Sequence, residues 1–486
     1  MSIASPDLKW LPKSDFVIGK TLNGGGIREY DHLYPANAQL TRKVAVAGKE
    51  EVDQAVRAAR AALPGWRATP PNEKRKLMLR FAQLIRENGE RLKRVVNAEN
   101  GGIYHQLDWF VEWDADLFEY NAGYADKIAG EVVPIWPQNA FDYTLDEPYG
   151  VIGILVPWNG PVISFGQMIA PAMAGGNTCI IKPTEFAPFS CLFLGELALE
   201  AGIPEGVINV IPGNVEAGEA MTRHPGIDKL HFTGSGNTAK KILQGAAENL
   251  TPVGLELGGK SARLVFPDCD WEQAVQTVVM TAVANAGQAC IAGSRALVHE
   301  SIYDRFMADC QTLANNIPIG DPNSTSTVMG PIAHRLQYDR IMSMLDHARS
   351  EGADFISGGE SCGGDLEAGY FIKPTLISDP EAKLEISREE VFGPVVSLMP
   401  FKDEDDGVAK ANDTVFGLAA YIESTNIKTV HRVASKLDAG NVLVNGAGGL
   451  PTAAPFGGHK QSGNGRVGGI WGIREFLRTK NVHIAM

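Results

Sequence analysis

The chain has 486 residues, too many for a single core, and its 44% hydrophobic and 21% charged residues are the proportions of a soluble globular protein with two or three domains. Its net charge of −13 argues against a nucleic-acid backbone or an anionic membrane as the main partner. Six cysteines, at 179, 191, 269, 290, 310 and 362, form neither a CxxC pair nor a zinc spacing, so a reduced thiol set in the cytoplasm is expected, and no metal.

Residues 1–20 lack the basic-then-apolar pattern of a signal peptide, and the longest apolar runs are shorter than a membrane span. Residues 50–63 place Val52, Ala55, Val56, Ala59 and Ala62 at helical spacing, and a second helical pattern runs from 73 to about 96. Trp109, Phe110, Trp113 and Leu117 share a helical stripe that suits a core or an apolar pocket rim. The Pro-rich, polar segment 130–149 reads as an excursion from the surrounding fold.

From Tyr149 onward, β-rich runs at 151–156, 178–181, 207–211 and 229–232 alternate with helical ones such as 190–201. This alternation predicts a parallel sheet with right-handed crossovers. A second alternating region follows Leu257, with strands at 261–265 and 295–298 and helices at 271–285 and 301–316. The last residues, 476–486, read as an added strand, packed on another subunit or folded into a local hairpin.

Two loops follow predicted strands and carry ligand-binding chemistry. Gly234-x-Gly236-x-x-Ala239 fits the dinucleotide fingerprint, in which glycines let the backbone approach a pyrophosphate at a helix N-terminus. The acidic partner expected about 20 positions later to hold a ribose is matched by Glu256. Lys182-Pro-Thr-Glu185 is a second candidate for the ribose, because open α/β sheets place ligands at the carboxyl ends of their strands. Read in isolation, that tetrapeptide also suits a solvated loop with an ion pair.

Six motifs occur in order: Pro157-Trp-Asn-Gly160, Phe232-Thr-Gly-Ser235, Glu256-Leu-Gly-Gly-Lys260, Gly287-Gln-Ala-Cys290, Glu389-Glu-Val-Phe-Gly-Pro394 and Pro455-Phe-Gly-Gly-His-Lys460. Together they resemble the aldehyde dehydrogenase superfamily over nearly the whole chain, in its NAD-dependent, hydrolytic form. The resemblance implies an α/β fold of two parallel-sheet domains plus a small β oligomerisation element. It implies an NAD-binding domain from 1–127 and 149–257, a catalytic domain at 258–460, and an oligomerisation element from 128–148 and 473–486. A homodimer or dimer of dimers is implied as well.

It further implies that Cys290 is the nucleophile, forming a thiohemiacetal and then a thioester with an aldehyde. Asn159 would donate to the oxyanion, together with the Cys290 amide. Glu256 becomes the base that activates water, so its offset from the glycine loop is a coincidence and not a ribose contact. Lys182 and Glu185 match the adenosine-ribose ligands, and a carboxylate there would repel a 2′-phosphate, favouring NAD over NADP. Glu390 and Phe392 match the grip on the nicotinamide end. Pro157, Trp158, Gly213, Thr233, Gly234, Ser235 and Leu257 would border the cofactor. The chain departs from the family at Ala239, where a glycine is usual.

For the substrate, the resemblance points to Trp113, Phe165, Gln167, Ile291, Leu450 and Phe456. Small residues near Asn159 and in 446–451 widen the expected tunnel, and no Arg or Lys falls on its walls. A bulky apolar or aromatic aldehyde is expected. The rival readings are a CoA-acylating semialdehyde dehydrogenase, which commonly lacks the carboxylate at 256, and a non-catalytic dinucleotide-binding protein, which would have lost Cys290 or Glu256. An esterase without redox chemistry would leave the cofactor residues without purpose.

Overall fold

The computed structural model describes residues 3–136, 139–446 and 451–486. Two seven-stranded sheets dominate. The first runs Val253–Leu257, Lys229–Gly234, Val151–Leu155, Thr178–Lys182 and Ile208–Val210 in spatial order, all parallel. Its central strands are buried along their whole length, as a parallel sheet covered on both faces requires. Two short antiparallel strands near the N-terminus, Phe16–Ile18 and Lys20–Leu22, extend its far edge. They are too short to leave a period in the sequence.

The second sheet places Ala262–Val265 and Arg295–His299 at its centre. Val395–Phe401 and Thr375–Ser378 continue it on one side, and Ala419–Glu423 and Asn441–Val444 on the other, all parallel. Asp354–Ser357 closes one edge antiparallel. Separate hydrophobic clusters cover the two sheets.

Two expected helices end early, each for a local reason. The pattern over 73–96 is broken at Asn88 into Pro71–Glu87 and Gly89–Asn100. Gly89 lies beneath Val111, whose Cγ1 would stand 3.0 Å from any β-carbon placed there. The helix expected over 271–285 stops at Val283, because Asn285, Ala286 and Gly287 all have positive φ, at 49°, 51° and 71°. Non-glycine residues seldom take that region, and here it turns the chain sharply toward Cys290.

The excursion and the tail find each other. Ala140–Pro148 pairs antiparallel with Leu477–Ala485 over nine residue pairs, in a two-stranded ribbon belonging to neither large sheet. Phe141, Leu145 and Ile484 on this ribbon are exposed.

Candidate active site

The candidate residues sit at or just beyond the ends of strands in both sheets. The strand Val253–Leu257 delivers Glu256, and its neighbour Lys229–Gly234 runs out at Gly234. Ser235 caps the following helix, Gly236–Ala246, by accepting the Thr238 amide at 3.4 Å. The helix N-terminus beside it is a ready anion seat. Thr233 Oγ1 is buried there with no hydrogen-bond partner among the described residues. Ala239 turns away from this seat into the core under the sheet.

At the end of the next parallel strand, Lys182 is buried and donates to the Gly213 carbonyl at 2.6 Å. Burial lowers its ammonium to about 8, against the pull of the nearby Glu185 carboxylate. Lys182, Glu185 and Gly213 thus form one patch at the sheet's carboxyl edge.

Cys290 follows the left-handed turn. Gly287 in that turn packs directly against the Gly393 carbonyl, which leaves no room for a side chain. Asn159, from the loop before the helix Pro161–Ala174, donates to the Gln288 carbonyl at 3.0 Å. Asn285 ties the same pieces together, donating to the carbonyls of Asn159 at 3.2 Å and Gln288 at 3.1 Å. On the far side, Tyr421 donates its hydroxyl to the Ile291 carbonyl at 2.7 Å. The Arg263 guanidinium lies 4.1 Å from the Tyr421 ring centre and pairs with Glu423 in a buried salt bridge.

Three acids or thiols of this site are shifted together. Burial pushes the Cys290 thiol up to about 12, and the Glu390 and Glu256 carboxylates add to the rise. Glu256 is 4% exposed, and neither of its oxygens has a hydrogen-bond partner among the described residues. Its carboxyl is held well above the usual range by that burial, with the Arg466 charge opposing. Glu390 is raised to about 7 by burial while accepting the Gly259 amide at 3.0 Å.

The loop that carries Glu390 and Phe392 is clamped from the helix Arg335–Ser350. Arg340 donates to the carbonyls of Glu390 and Val391 at 2.7 Å each, and Gln337 to that of Phe392 at 2.9 Å. Phe392 itself has positive φ and meets Trp158 edge-on, with ring centres 5.4 Å apart. His334 completes the aromatic group, stacked on Phe186 at 4.2 Å and edge-on to Trp158 at 4.7 Å. His334, Gln337 and Arg340 left no signal in the sequence, since each acts through a contact with residues far away in the chain.

A cavity of about 450 Å³ opens beside Ile291. Trp113, Leu117, Gln167, Ile291 and Phe456 line it, and no charged side chain does so among the described residues. Phe165 does not. It is fully buried among Phe81 and Phe118, because position 165 faces the inner side of its helix while Gln167 faces the cavity. Leu450 lies outside the described residues.

The aldehyde dehydrogenase family profile matches residues 23–482. Aldehyde dehydrogenase family 2 member C4 of Arabidopsis thaliana is 39% identical over 487 residues, covering 99% of this chain and 96% of that protein. The chain belongs to the aldehyde dehydrogenase family.

Solved structures of the family superpose closely. Staphylococcus aureus betaine aldehyde dehydrogenase, in complex with NAD+, matches with a TM-score of 0.96 at 34% identity, covering 98% of this chain and 96% of that one. The NAD+ complex of a Bacillus cereus aldehyde dehydrogenase matches with a TM-score of 0.95 at 36% identity over 100% of both chains. The fold expected from the sequence, two mainly parallel α/β sheets, is therefore the fold of this aldehyde dehydrogenase. Among the described residues no helix is long and apolar enough to cross a membrane.

Proposed function

We propose that this chain oxidises an aldehyde to a carboxylate with NAD, through a thioester on Cys290. The observation that carries this reading is Glu256: a buried carboxyl without a hydrogen-bond partner among the described residues, close enough to Cys290 to raise the thiol's pKa. An unpaired buried carboxyl is costly, and burial holds this one well above the usual carboxylate range, which suits a general base.

The residues present fit the dinucleotide. The Thr233–Ser235 turn offers an orphaned hydroxyl and a capped helix N-terminus for phosphates. Lys182 and Glu185 stand ready for the adenosine ribose, and Glu390, Phe392 and Trp158 for the nicotinamide end. The NAD+ held in the Staphylococcus and Bacillus structures supports the same choice. When bound, NAD supplies the hydride acceptor.

The chain's own residues carry the remaining steps. Cys290 gives its proton to Glu256, which passes it to solvent, and the sulfur bonds to the aldehyde carbon, placing negative charge on oxygen. The Asn159 amide, with one N–H tied to Gln288, offers its other N–H to that oxygen, as does the Cys290 backbone amide. Loss of hydride converts the adduct to a thioester. Glu256 takes a proton from water as the water oxygen attacks, and the carbon–sulfur bond breaks to return the thiolate.

The uncharged 450 Å³ cavity favours a bulky apolar or aromatic aldehyde over a small or anionic one. The units 1–127 with 149–257 and 258–460 serve as cofactor and catalytic domains. The segments 128–148 and 473–486, whose paired strands Ala140–Pro148 and Leu477–Ala485 expose Phe141 and Ile484, serve assembly into a dimer or dimer of dimers. Six free thiols suit the cytoplasm.

The test is NADH production across an aldehyde panel, with Cys290→Ala as control. Activity surviving in Cys290→Ala would refute the thioester. Acyl-CoA as the main product when CoA is supplied would refute hydrolysis. Higher kcat/KM for a small or anionic semialdehyde than for benzaldehyde-type substrates would refute the substrate class.

A further inference from the structure

A second histidine lies behind Glu256, and nothing in the chemistry above uses it. His231 sits on the strand adjacent to Glu256, fully buried, and neither ring nitrogen has a hydrogen-bond partner among the described residues. Burying an imidazole with both nitrogens unpaired is expensive. A β-carbon at Gly465 would stand 3.0 Å from Glu256 Oε1 and 3.2 Å from His231 Nε2, so carboxyl and imidazole face the same small gap. Glycine at 465 keeps that gap open.

The same ring edge faces a second acid. A β-carbon at Gly254 would meet both Glu475 Oε1 and His231, the latter with Nε2 at 3.2 Å. Glu475, at the end of the helix Gly469–Glu475, pairs with Lys229 at 2.7 Å and is partly exposed. Glu256, His231 and the Glu475–Lys229 pair therefore form a line from the buried base toward the surface. The charged groups facing the ring from its own strand, the neighbouring strand and the last helix are Lys229, Glu256 and Glu475. Arg466 acts on Glu256 from the 463–467 segment, and Phe476 flanks the ring at 5.9 Å.

Each turnover leaves Glu256 protonated, and the base must discharge before it can act again. We propose that His231 is a positioning residue for that proton release, its neutral ring holding the water that links Glu256 to the Glu475–Lys229 pair. The Glu256 O–H passes its proton to this water, and the water gives one of its own to the Glu475 carboxylate, which releases it to solvent. His231 ends each cycle unchanged and neutral. This agrees with a ring whose pKa burial lowers to about 3, with Lys229 contributing. The proposal rests on the Glu256 role given above.

The experiment is stopped-flow and steady-state kinetics on the full-length enzyme with NAD and a benzaldehyde-type substrate, comparing wild type with His231→Phe, His231→Asn and Gly465→Ala. His231→Phe is expected to lower kcat by about tenfold or more while leaving the rate of the first NADH turnover within about twofold of wild type. The solvent deuterium effect on kcat should grow. His231→Asn, which can still bind water, should recover most of the loss. Gly465→Ala fills the gap while keeping the imidazole, its methyl standing 3.2 Å from Nε2, so it should repeat the split even if His231→Phe folds poorly.

Unchanged kcat in both His231→Phe and Gly465→Ala would overturn the proposal. So would equal loss of first-turnover rate and kcat in well-folded variants, which marks a structural role. A wild type that shows no covalent acyl-enzyme would instead overturn the thioester reading, a separate outcome.

Discussion

Asn159 donates its side-chain N–H to the carbonyl of Gln288, 3.0 Å away and two residues before Cys290. Asn159 and the loop that carries Cys290 are thereby fixed to one another. Removing one preorganised donor typically costs about 3 kcal/mol of barrier, or about a hundredfold in kcat. Asn159→Ala should lose at least that, since it also frees the loop. Steady-state NADH production measures it, and a loss under tenfold would count against the oxyanion role.

The thiol at 290 should be unreactive in the free enzyme. Burial and the two carboxylates hold its pKa near 12, so alkylation by neutral iodoacetamide should climb with pH without levelling below about pH 10. A negative neighbour disfavours the thiolate, so Glu390→Gln should shift this rise to lower pH. The pH profile of alkylation, read by mass spectrometry, checks both the position and the direction.

Glu99 supplies a pH-dependent stability term remote from the chemistry. It is fully buried, accepts the Ser190 amide at 3.0 Å and hydroxyl at 2.6 Å, and is raised by burial from 4.5 to about 7. The folded state binds this proton more tightly than the unfolded one. Its stabilisation is complete below pH 4.5 and is lost as pH rises through 7. The loss amounts to about 3 kcal/mol at 1.36 kcal/mol per unit. Glu99→Gln does not titrate, so its denaturation midpoint should gain on wild type between pH 4.5 and 7.5. A constant difference across that range would contradict the assignment.

Glu423 holds Arg263 against Tyr421, which in turn fixes the Ile291 carbonyl next to Cys290. Glu423→Ala would strand a buried guanidinium at a cost of about 3–5 kcal/mol. Tyr421→Phe removes only the hydroxyl's hydrogen bond, costing about 1 kcal/mol. Denaturant titration should rank the variants in that order, with Tyr421→Phe lowering kcat more than its stability loss suggests.

Gln167 faces the cavity through one turn of its helix. Gln167→Trp should fill part of the 450 Å³ and raise KM for benzaldehyde-type substrates while sparing acetaldehyde. A panel of aldehydes of increasing size measures the shift.

The legible part of the site consists of residues whose role follows from chemistry at a fixed place in a motif. The sequence offers Cys290, Glu256, Asn159, Lys182 and Glu390 as candidates because each lies in a short local pattern at a strand or turn end. Phe165 was misread for the substrate wall because sequence spacing alone does not say which side of a helix faces the cavity. The break at Asn88 was hidden for a related reason: apolar periodicity continues across it, while the Asn88 backbone leaves helical geometry at φ −102° and ψ 14°.

The sequence by itself determined the family and four of the parallel strands in the first sheet, because period and motif are local properties of the chain. The tertiary structure alone decided the rest. It paired 140–148 with 477–485, across more than 300 residues, and clamped the Glu390 loop from the helix Arg335–Ser350. It also set His231 beside Glu256. Those relationships are pairwise contacts between distant segments, formed only when the sheets close and their side chains share one interior.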